Sequence, residues 1–189
     1  MTAYPKIIRF YLIIGIILFL LFGCLKNRVT AKDIMLFDFE NDSDLNRFAW
    51  KCRTRFELSS EQKNTGNQSL RFEFHPSSRV GFSTGDVPKN WSSYKCFDLW
   101  VFNPSADAIL IYFQVNGYDS SGEFIHLITR SLQIESGENN ISIPLPGPKA
   151  VSRKIEAMQK IGGFFIYMQN ISTTRVLYFD SFKLIEGAG

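Results

Sequence analysis

The chain has 189 residues, of which 45% are hydrophobic and 15% aromatic, which is ample for one packed core. Its formal net charge is +3, but residues 1–32 hold five basic and no acidic residues, which leaves 16 basic against 18 acidic residues from Asp33 onward. The folded part therefore lacks the basic balance of a nucleic-acid-binding domain, and we expect no nucleic-acid partner.

An uncharged apolar segment occupies residues 10–25, shortly after Lys6 and Arg9. A basic stretch followed by an apolar stretch is typical of an export signal. As a helix this segment would be about 24 Å long, short of the roughly 30 Å hydrocarbon core of a membrane. The sequence predicts an exported protein with a hydrophobic helical leader at residues 1–32 and a folded domain at residues 33–187.

Three endings of this leader remain open. Leu21-Phe22-Gly23-Cys24 resembles the lipobox of bacterial lipoproteins, in which Cys24 would carry the lipid, although Phe22 is larger than the usual residue. Val29-Thr30-Ala31 fits a signal-peptidase site, and without any cleavage the leader would be a signal anchor. We expect a membrane-anchored, extracytoplasmic location in the cell envelope, with the membrane contacted through this segment.

Beyond the leader, apolar and polar side chains alternate in short runs separated by turns, which indicates half-buried β-strands. Before and after a central stretch at residues 96–118, strands are predicted in chain order at residues 34–40, 48–58, 70–75, 79–84, 124–133, 141–145, 164–169 and 175–185. One helix is predicted at residues 151–161, where Ile155, Met158 and Ile161 form an apolar stripe. The pattern predicts an all-β fold: an antiparallel β-sandwich of jelly-roll type with one short helix.

The central stretch, residues 96–118, predicts a hairpin of two strands joined by an Asn-Pro-Ser-Ala-Asp turn. Its second strand has one wholly apolar face, whereas the other face carries Tyr112, Gln114 and Asn116. We interpret the first face as core and the second as a place to hold a polar, flat ligand.

Two cysteines, Cys52 and Cys96, lie within the folded part. In an exported protein such a pair is a possible disulfide. The alternative is two free thiols, because cysteine is often buried unpaired. The two histidines, His75 and His126, do not have the spacing of a zinc site.

The order of motifs resembles that of jelly-roll carbohydrate-binding modules with a galactose-binding-like fold, over residues 34–186. The matching segments are Phe37-Asp38-Phe39-Glu40, Asn64-Thr65-Gly66-Asn67-Gln68-Ser69-Leu70-Arg71-Phe72, Trp91-Ser92-Ser93-Tyr94, residues 99–104 and Tyr178-Phe179-Asp180-Ser181-Phe182-Lys183-Leu184. The resemblance implies the sandwich fold, a bound glycan or polysaccharide, and a structural calcium ion.

For calcium, the resemblance selects one set of oxygen-bearing residues: Asp38, Glu40, Asn67 and Asp180. A hard cation takes six to eight oxygen ligands, which carboxylates and turn carbonyls from both ends of the domain could supply. The alternative is that these acids are solvated residues at strand ends.

For the glycan, the resemblance implies that aromatic rings stack on sugar rings while amides and charged groups bind hydroxyls. The residues it selects are Trp100, Tyr112, Gln114, Asn116, His126, Arg130, Tyr167 and Gln169, provided that their faces share one side. Trp100 and Tyr167 could instead be core residues. Trp91, in a loop, is better interpreted as a plug over one end of the sandwich.

No arrangement for catalysis is evident, since the acids cluster at turns and strand ends and there is no nucleophile motif. Two functions remain open. The first is a non-catalytic carbohydrate-binding protein of the cell envelope. The second is a structural or assembly protein of the envelope that uses the same face for a protein partner.

Overall fold

The protein is an antiparallel β-sandwich, as predicted, in a computed structural model that describes residues 32–147 and 149–187. Its eleven strands in these ranges are β1 (Ile34–Phe37), β2 (Trp50–Cys52), β3 (Thr54–Ser59), β4 (Ser69–Phe74), β5 (Ser77–Thr84), β6 (Tyr94–Asn103), β7 (Ile109–Tyr118), β8 (Phe124–Ile134), β9 (Gly137–Pro144), β10 (Ile161–Ile171) and β11 (Arg175–Glu186). A 3-10 helix covers Asp42–Arg47, and the α-helix α1 covers Ser152–Ala157. Residues 1–31 of the leader, including Cys24, lie outside the described residues.

The strands form two sheets. The six-stranded sheet has the order β3-β4-β11-β6-β9, with β1 also paired to β11, and the five-stranded sheet has the order β2-β5-β10-β7-β8. Phenylalanines fill the space between them: Phe97 lies 4.8 Å from Phe113 between ring centroids, and Phe72 lies 4.4 Å from Phe82. Each pair joins a strand of one sheet to a strand of the other, so the core is one continuous layer.

The central hairpin is the first prediction that the structure corrects. β6 pairs with β11 and β9, whereas β7 pairs with β10 and β8. The turn after Asn103 therefore carries the chain from one sheet to the other. Both strands bury one face in the shared core, so alternation alone could not separate a hairpin from a crossing between sheets.

The strand predicted at residues 48–58 is likewise two strands in different sheets. Arg53 has a φ of 47°, in the left-handed region, and its carbonyl oxygen accepts the N–H of His75 at 3.0 Å. Arg53 is thus the single residue between β2, which lies in the five-stranded sheet, and β3, which lies in the six-stranded sheet.

The predicted helix is shorter than residues 151–161. α1 ends at Ala157, and the N–H of Ile161 already donates to the carbonyl oxygen of Lys89 at 2.8 Å as β10 begins. Over residues 32–147 and 149–187, no helix has both the length and the apolar character needed to cross a membrane.

Of the two alternatives left open for Cys52 and Cys96, the structure shows the second, because both are free thiols. Cys52 is on β2 and Cys96 on β6, so they belong to different sheets. Their neighbours Gly81 and Ile185 place both on outward positions, with the core between them, and packed sheets are about 10 Å apart. That separation exceeds the Cα distance of roughly 7 Å that a disulfide allows.

Trp91 closes one end of the sandwich, as the sequence indicated. It is fully buried and stacks on Phe97 with a centroid separation of 5.9 Å. Its backbone N–H donates to the carbonyl oxygen of Met158 at 2.7 Å, which ties this loop to the end of α1. Trp91 is therefore a core residue and contributes no surface to a binding site.

Candidate functional site

The outward side of the five-stranded sheet carries most of the residues selected from the sequence. We call it the aromatic–amide face, and its members are Tyr112, Gln114, Asn116, Tyr118, Phe124, His126, Tyr167 and Gln169. The register brings them together: Tyr112 is opposite Tyr167 across β7 and β10, and Asn116 is opposite His126 across β7 and β8. Six of the eight predicted ligand residues thus share one surface.

Tyr112 and Tyr167 form a stacked pair at one part of this face. Their centroids are 5.3 Å apart with an interplanar angle of 16°, and the guanidinium carbon of Arg79 lies 4.2 Å from the centroid of Tyr167. Gly81 faces Tyr167, and a Cβ there would lie 2.6 Å from the Cα of Tyr167. Because Tyr167 is only 5% exposed, its ring supports Tyr112, while the half-exposed Tyr112 meets solvent.

Next to this pair lies a cluster of two amides and an imidazole. Gln114 Nε2 donates to Asn116 Oδ1 at 2.9 Å, and His126 Nδ1 is 2.7 Å from Gln114 Nε2 and 2.8 Å from Asn116 Oδ1. A neutral imidazole nitrogen either donates or accepts, so Nδ1 serves one of these two neighbours in each tautomer. Gln114 and Asn116 are buried, so His126 is the member of the cluster that is exposed to solvent.

Two exposed rings continue the face beyond His126. Tyr118 is 43% and Phe124 49% exposed, and Phe124 is in edge contact with both Tyr118, at 5.8 Å, and His126, at 5.1 Å. The sequence interpretation did not select either ring. The available signal was local: Tyr118 has the same parity as Tyr112, Gln114 and Asn116 along β7.

Arg130 does not belong to the aromatic–amide face, which corrects the prediction. A bulge in β8 shifts the register: Asn116 is opposite His126, but Val115 is opposite Ile128, and Arg130 is opposite the buried Phe113. The extra residue reverses the sides on which the following side chains point. His126 and Arg130, which simple alternation puts on one side, therefore lie on opposite sides of the sheet.

Trp100 is also misplaced by the prediction, because it lies on β6 in the other sheet. It is 2% exposed and stacks on Phe102, with centroids 6.1 Å apart. Its cross-strand neighbour on β11 is Asp180, to which the loop between β3 and β4 is bonded. Trp100 is thus a buried residue on the outward side of the six-stranded sheet and cannot join Tyr112 in one surface.

The β3–β4 loop, residues 60–68, is held to the sheet by two carboxylates. Asp180 Oδ2 accepts the N–H groups of Asn64 at 2.8 Å and Thr65 at 3.0 Å. Glu40 Oε1 accepts those of Asn67 at 2.8 Å and Gln68 at 2.9 Å. Both carboxylates are therefore bonded to the loop through backbone N–H groups.

Their environments shift the two carboxyl groups in opposite directions. Burial raises the pKa of Asp180, which is fully buried, and the N–H groups of Thr65 and Asn64 offset part of that rise. The N–H groups of Gln68 and Asn67 lower the pKa of Glu40. The loop thus favours the ionised form of Glu40, whereas the interior disfavours that of Asp180.

This arrangement does not fit the calcium ion that the resemblance implies. The oxygens of Glu40 and Asp180 meet N–H donors, Asn67 presents its amide nitrogen to Glu40 Oε2 at 3.2 Å, and Asp38 Oδ1 accepts the N–H of Glu40 at 3.2 Å. A calcium ion binds oxygen ligands, but around these carboxylates the neighbouring groups are N–H donors. Within residues 32–147 and 149–187, no three Asp, Glu, His or Cys side chains are grouped so that they could hold a metal.

A third carboxylate, Asp119, organises the turn after β7. Arg153 on α1 donates to Asp119 Oδ2 through Nη2 at 2.8 Å and to Glu123 at 2.5 Å, and Ser121 donates to Asp119 Oδ1 at 2.6 Å. The bonds from Ser121 and Arg153 hold the pKa of Asp119 well below its usual range. Asp119 therefore fixes the turn that carries the chain from Tyr118 to Phe124.

Comparisons with solved structures place this fold among known sandwiches. A family 11 carbohydrate-binding module from Clostridium thermocellum, solved in complex with a β-1,3-1,4-mixed-linked tetrasaccharide, has a TM-score of 0.62 at 18% identity, covering 84% of this chain and 98% of that one. The CBM22-1 xylan-binding domain from Paenibacillus barcinonensis Xyn10C has a TM-score of 0.54 at 15% identity, covering 84% and 99%. An exo-β-agarase gives a TM-score of 0.64 at 17% identity, covering 82% of this chain and 25% of that one.

The two sheets and their order therefore define a jelly-roll β-sandwich with the fold of carbohydrate-binding modules, as the sequence resemblance implied. At these identities the likeness concerns the fold. No curated protein matches the chain. The chain belongs to the family described as "Lyase, N terminal", whose model matches residues 33–138.

Proposed function

We propose that this protein is a non-catalytic carbohydrate-binding protein that holds a glycan on the aromatic–amide face. One observation carries the proposal: the exposed rings of Tyr118 and Phe124, the half-exposed ring of Tyr112 and the Gln114–Asn116–His126 cluster lie side by side on one sheet. Rings offer flat apolar surface for a pyranose, and amides and imidazole both donate and accept hydrogen bonds.

The dimensions of the face suit an extended chain of sugars. Tyr112 and Tyr118 are six residues apart on β7, which is about 20 Å along a strand. The amide–imidazole cluster lies between them, so rings at both ends and polar groups in the middle could contact one chain. Two structures of similar fold support this, since one holds a mixed-linked tetrasaccharide and the other is named for xylan binding.

The absence of catalysis and the envelope location are part of the same proposal. The outward positions of β7 and β10 carry rings, amides, glycine and the aliphatic Leu110, with no Asp or Glu among them, so they offer no carboxylate pair of the kind glycosidases use. The uncharged residues 10–25 and Cys24 support an exported, membrane-anchored protein. Ultraviolet absorbance of unsaturated chain ends, followed during incubation with polysaccharides, tests for lyase chemistry; we expect none.

Affinity gel electrophoresis of the full-length chain with neutral and acidic polysaccharides tests glycan binding. A double variant, Tyr118→Ala with Phe124→Ala, removes two exposed rings, and we expect retention at least about tenfold weaker, since each ring contributes up to about 1.5 kcal/mol. Met35→Ala is the matched control, because Met35 is 43% exposed on β1 of the other sheet. Absence of retention on every polysaccharide, or retention that the double variant leaves unchanged, would refute the proposal.

A protein partner on the same face is the second candidate function. Leu110, 50% exposed two residues before Tyr112 on β7, adds an aliphatic side chain at the end of the face opposite to the exposed rings of Tyr118 and Phe124. Exposed apolar surface of this kind also marks interfaces between proteins. Cross-linking in whole envelopes separates the two: one stoichiometric protein partner, lost in the double variant, favours the second function.

A further inference from the structure

A small pocket lies on the outward side of the six-stranded sheet, apart from the aromatic–amide face. We call it the Trp100 pocket. Its volume is about 180 Å³, below the roughly 300 Å³ at which sites for drug-sized ligands begin, so it suits a ligand of about one ring. Its polar lining comes from the β3–β4 loop and from β6, β9 and β11, and the main residues are Asn64, Asp98, Trp100, Asn140, Ser142 and Lys183.

An irregularity in β11 shapes this pocket. Between Asp180 and Lys183, two residues of β11 lie opposite one position of β6, which is a β-bulge. The first of the two, Ser181, has a φ of 55°, in the left-handed region that residues other than glycine rarely adopt. Its hydroxyl accepts Asn64 Nδ2 at 3.1 Å, so the β3–β4 loop is held as one wall. Strained backbone of this kind is concentrated at ligand sites.

The pocket also contains donors that the protein itself leaves unpaired. Trp100 is 2% exposed, yet its indole N–H has no acceptor within residues 32–147 and 149–187. The side chains of Asn140 and Lys183 likewise have no hydrogen-bond or ionic partner in that part of the chain. Buried polar groups are normally hydrogen-bonded. Because the indole nitrogen is not enclosed by protein, an acceptor can reach it from the pocket.

Asp98 supplies an acceptor beside these donors. Ser142 Oγ donates to Asp98 Oδ1 at 2.6 Å, which leaves Oδ2 without a donor among the described side chains. Asp98 and Lys183 are opposite each other across β6 and β11, but they do not form an ion pair. One carboxylate and one ammonium group therefore lie side by side in the lining, and their charges balance.

We propose that the Trp100 pocket binds a single neutral pyranose through neighbouring hydroxyl groups. One hydroxyl donates to Asp98, and the next accepts from Lys183 and from the indole N–H of Trp100. A hydroxyl both donates and accepts, so a sugar ring satisfies each of these groups. An anion would face Asp98, a cation would face Lys183, and an apolar ligand would leave all of them unpaired.

This site is independent of the aromatic–amide face, because β6, β9 and β11 belong to the other sheet. The chain would thus bind sugar on both outward sides of the sandwich. A free monosaccharide and the end residue of a longer chain present the same hydroxyl groups. Both are therefore possible sources of the ligand, and the test has to separate them.

The indole N–H signal of Trp100 in nuclear magnetic resonance spectra reports directly on the pocket. The isotope-labelled full-length chain, kept in detergent, is titrated with glucose, galactose, mannose and N-acetylglucosamine, and Trp100→Phe assigns the signal. We expect a saturable shift at millimolar concentrations with at least one of these sugars. Asp98→Asn keeps an oxygen for Ser142 but removes the charge, so we expect about tenfold weaker binding. Lys183→Gln should weaken binding to a similar degree.

Asp107→Asn is the matched control, because Asp107 is exposed and does not line the pocket. It should leave the affinity unchanged. A tetrasaccharide of the same sugar separates the two sources: a shift equal to that of the monosaccharide supports binding of chain ends, and a shift with the monosaccharide alone supports binding of the free sugar.

Two outcomes overturn the inference. The first is no saturable shift with any of the sugars, and the second is equal weakening in Asp98→Asn and Asp107→Asn. The double variant Tyr118→Ala with Phe124→Ala should leave the titration unchanged. If that variant abolishes the shift, the sugar lies on the aromatic–amide face, which overturns the Trp100 pocket and supports the function proposed above.

Discussion

Replacing Asp180 by alanine tests how the β3–β4 loop is held. The fully buried carboxylate accepts N–H groups from Asn64 at 2.8 Å and Thr65 at 3.0 Å, and a further one from Ser181 at 2.6 Å. Each N–H group left without an acceptor costs roughly 1–3 kcal/mol. Water can hydrogen-bond some of these groups, because the loop is exposed. We therefore expect Asp180→Ala to lower the free energy of unfolding by about 3 kcal/mol, or roughly 6–12 °C in Tm.

Asparagine at the same position should be much milder. Its amide oxygen can still accept from Asn64 and Thr65, whereas its NH2 group faces the N–H of Ser181, so about 1 kcal/mol is lost. The variant also removes a pH dependence. Because the native pKa of Asp180 is raised, wild-type stability falls as the pH rises from about 3.9, the unfolded value, through the native pKa, and Asp180→Asn should not show this fall.

Urea unfolding at several pH values measures both effects, and hydrogen exchange at Asn64 and Thr65 reports on the loop itself. Asp38→Ala is the control, because its exposed carboxylate makes a single bond, to the N–H of Glu40 at 3.2 Å, and we expect a change within about 0.5 kcal/mol. If the free energy of unfolding of Asp180→Ala lies within about 1 kcal/mol of the wild-type value, and the backbone N–H groups of Asn64 and Thr65 stay protected from exchange, the loop is held by other contacts.

Three further outcomes follow from the geometry. Chelation with EGTA should leave Tm unchanged within about 1 °C, because no calcium ion is expected to be lost. A bound ion would raise stability, so a fall in Tm of several degrees would show that calcium is bound. Gly81→Ala should cost more than about 2 kcal/mol, because its Cβ would lie 2.6 Å from the Cα of Tyr167, whereas Gly147→Ala, with nothing within 4 Å, should be nearly neutral in the same thermal melts. The hydrogen bond from Ser121 is the largest cause of the lowered pKa of Asp119, so stability should fall as the pH drops below about 3.9, and Asp119→Asn should flatten that fall in acid titrations of unfolding.

The elements that depend on local sequence were predictable, and their partners were not. Tyr112, Gln114 and Asn116 share a face because β7 is regular at those positions, and period two follows from strand geometry. The pairing of β6 with β11 depends on residues more than seventy positions apart along the chain, which alternation does not encode. The positive φ of Arg53 was equally invisible, because no glycine or proline marks it.

The two misplaced ligand residues have different physical causes. Alternation along β6 correctly predicts that Trp100 points outward. It does not predict which of the two sheets contains β6, because that depends on the pairing with β11. Arg130 was misplaced by a single inserted residue in β8, since a bulge has no obligatory sequence signal outside glycine. The fold was therefore predicted from patterns that repeat along the chain, whereas the site required the irregular positions.

The bulge in β8 also affects whether the edge of the five-stranded sheet can pair with a second copy of the chain. β8 is the last strand of its sheet, so one row of its backbone N–H and C=O groups is not used by a neighbouring strand. A regular row of this kind can add a strand from a second chain, and such additions begin fibres. The break in register between Val115 and Asn116, together with the charge of Arg130, interrupts that row where another chain would need it continuous. The irregularity that turns Arg130 away from the aromatic–amide face thus also makes this edge a poor template for a further strand.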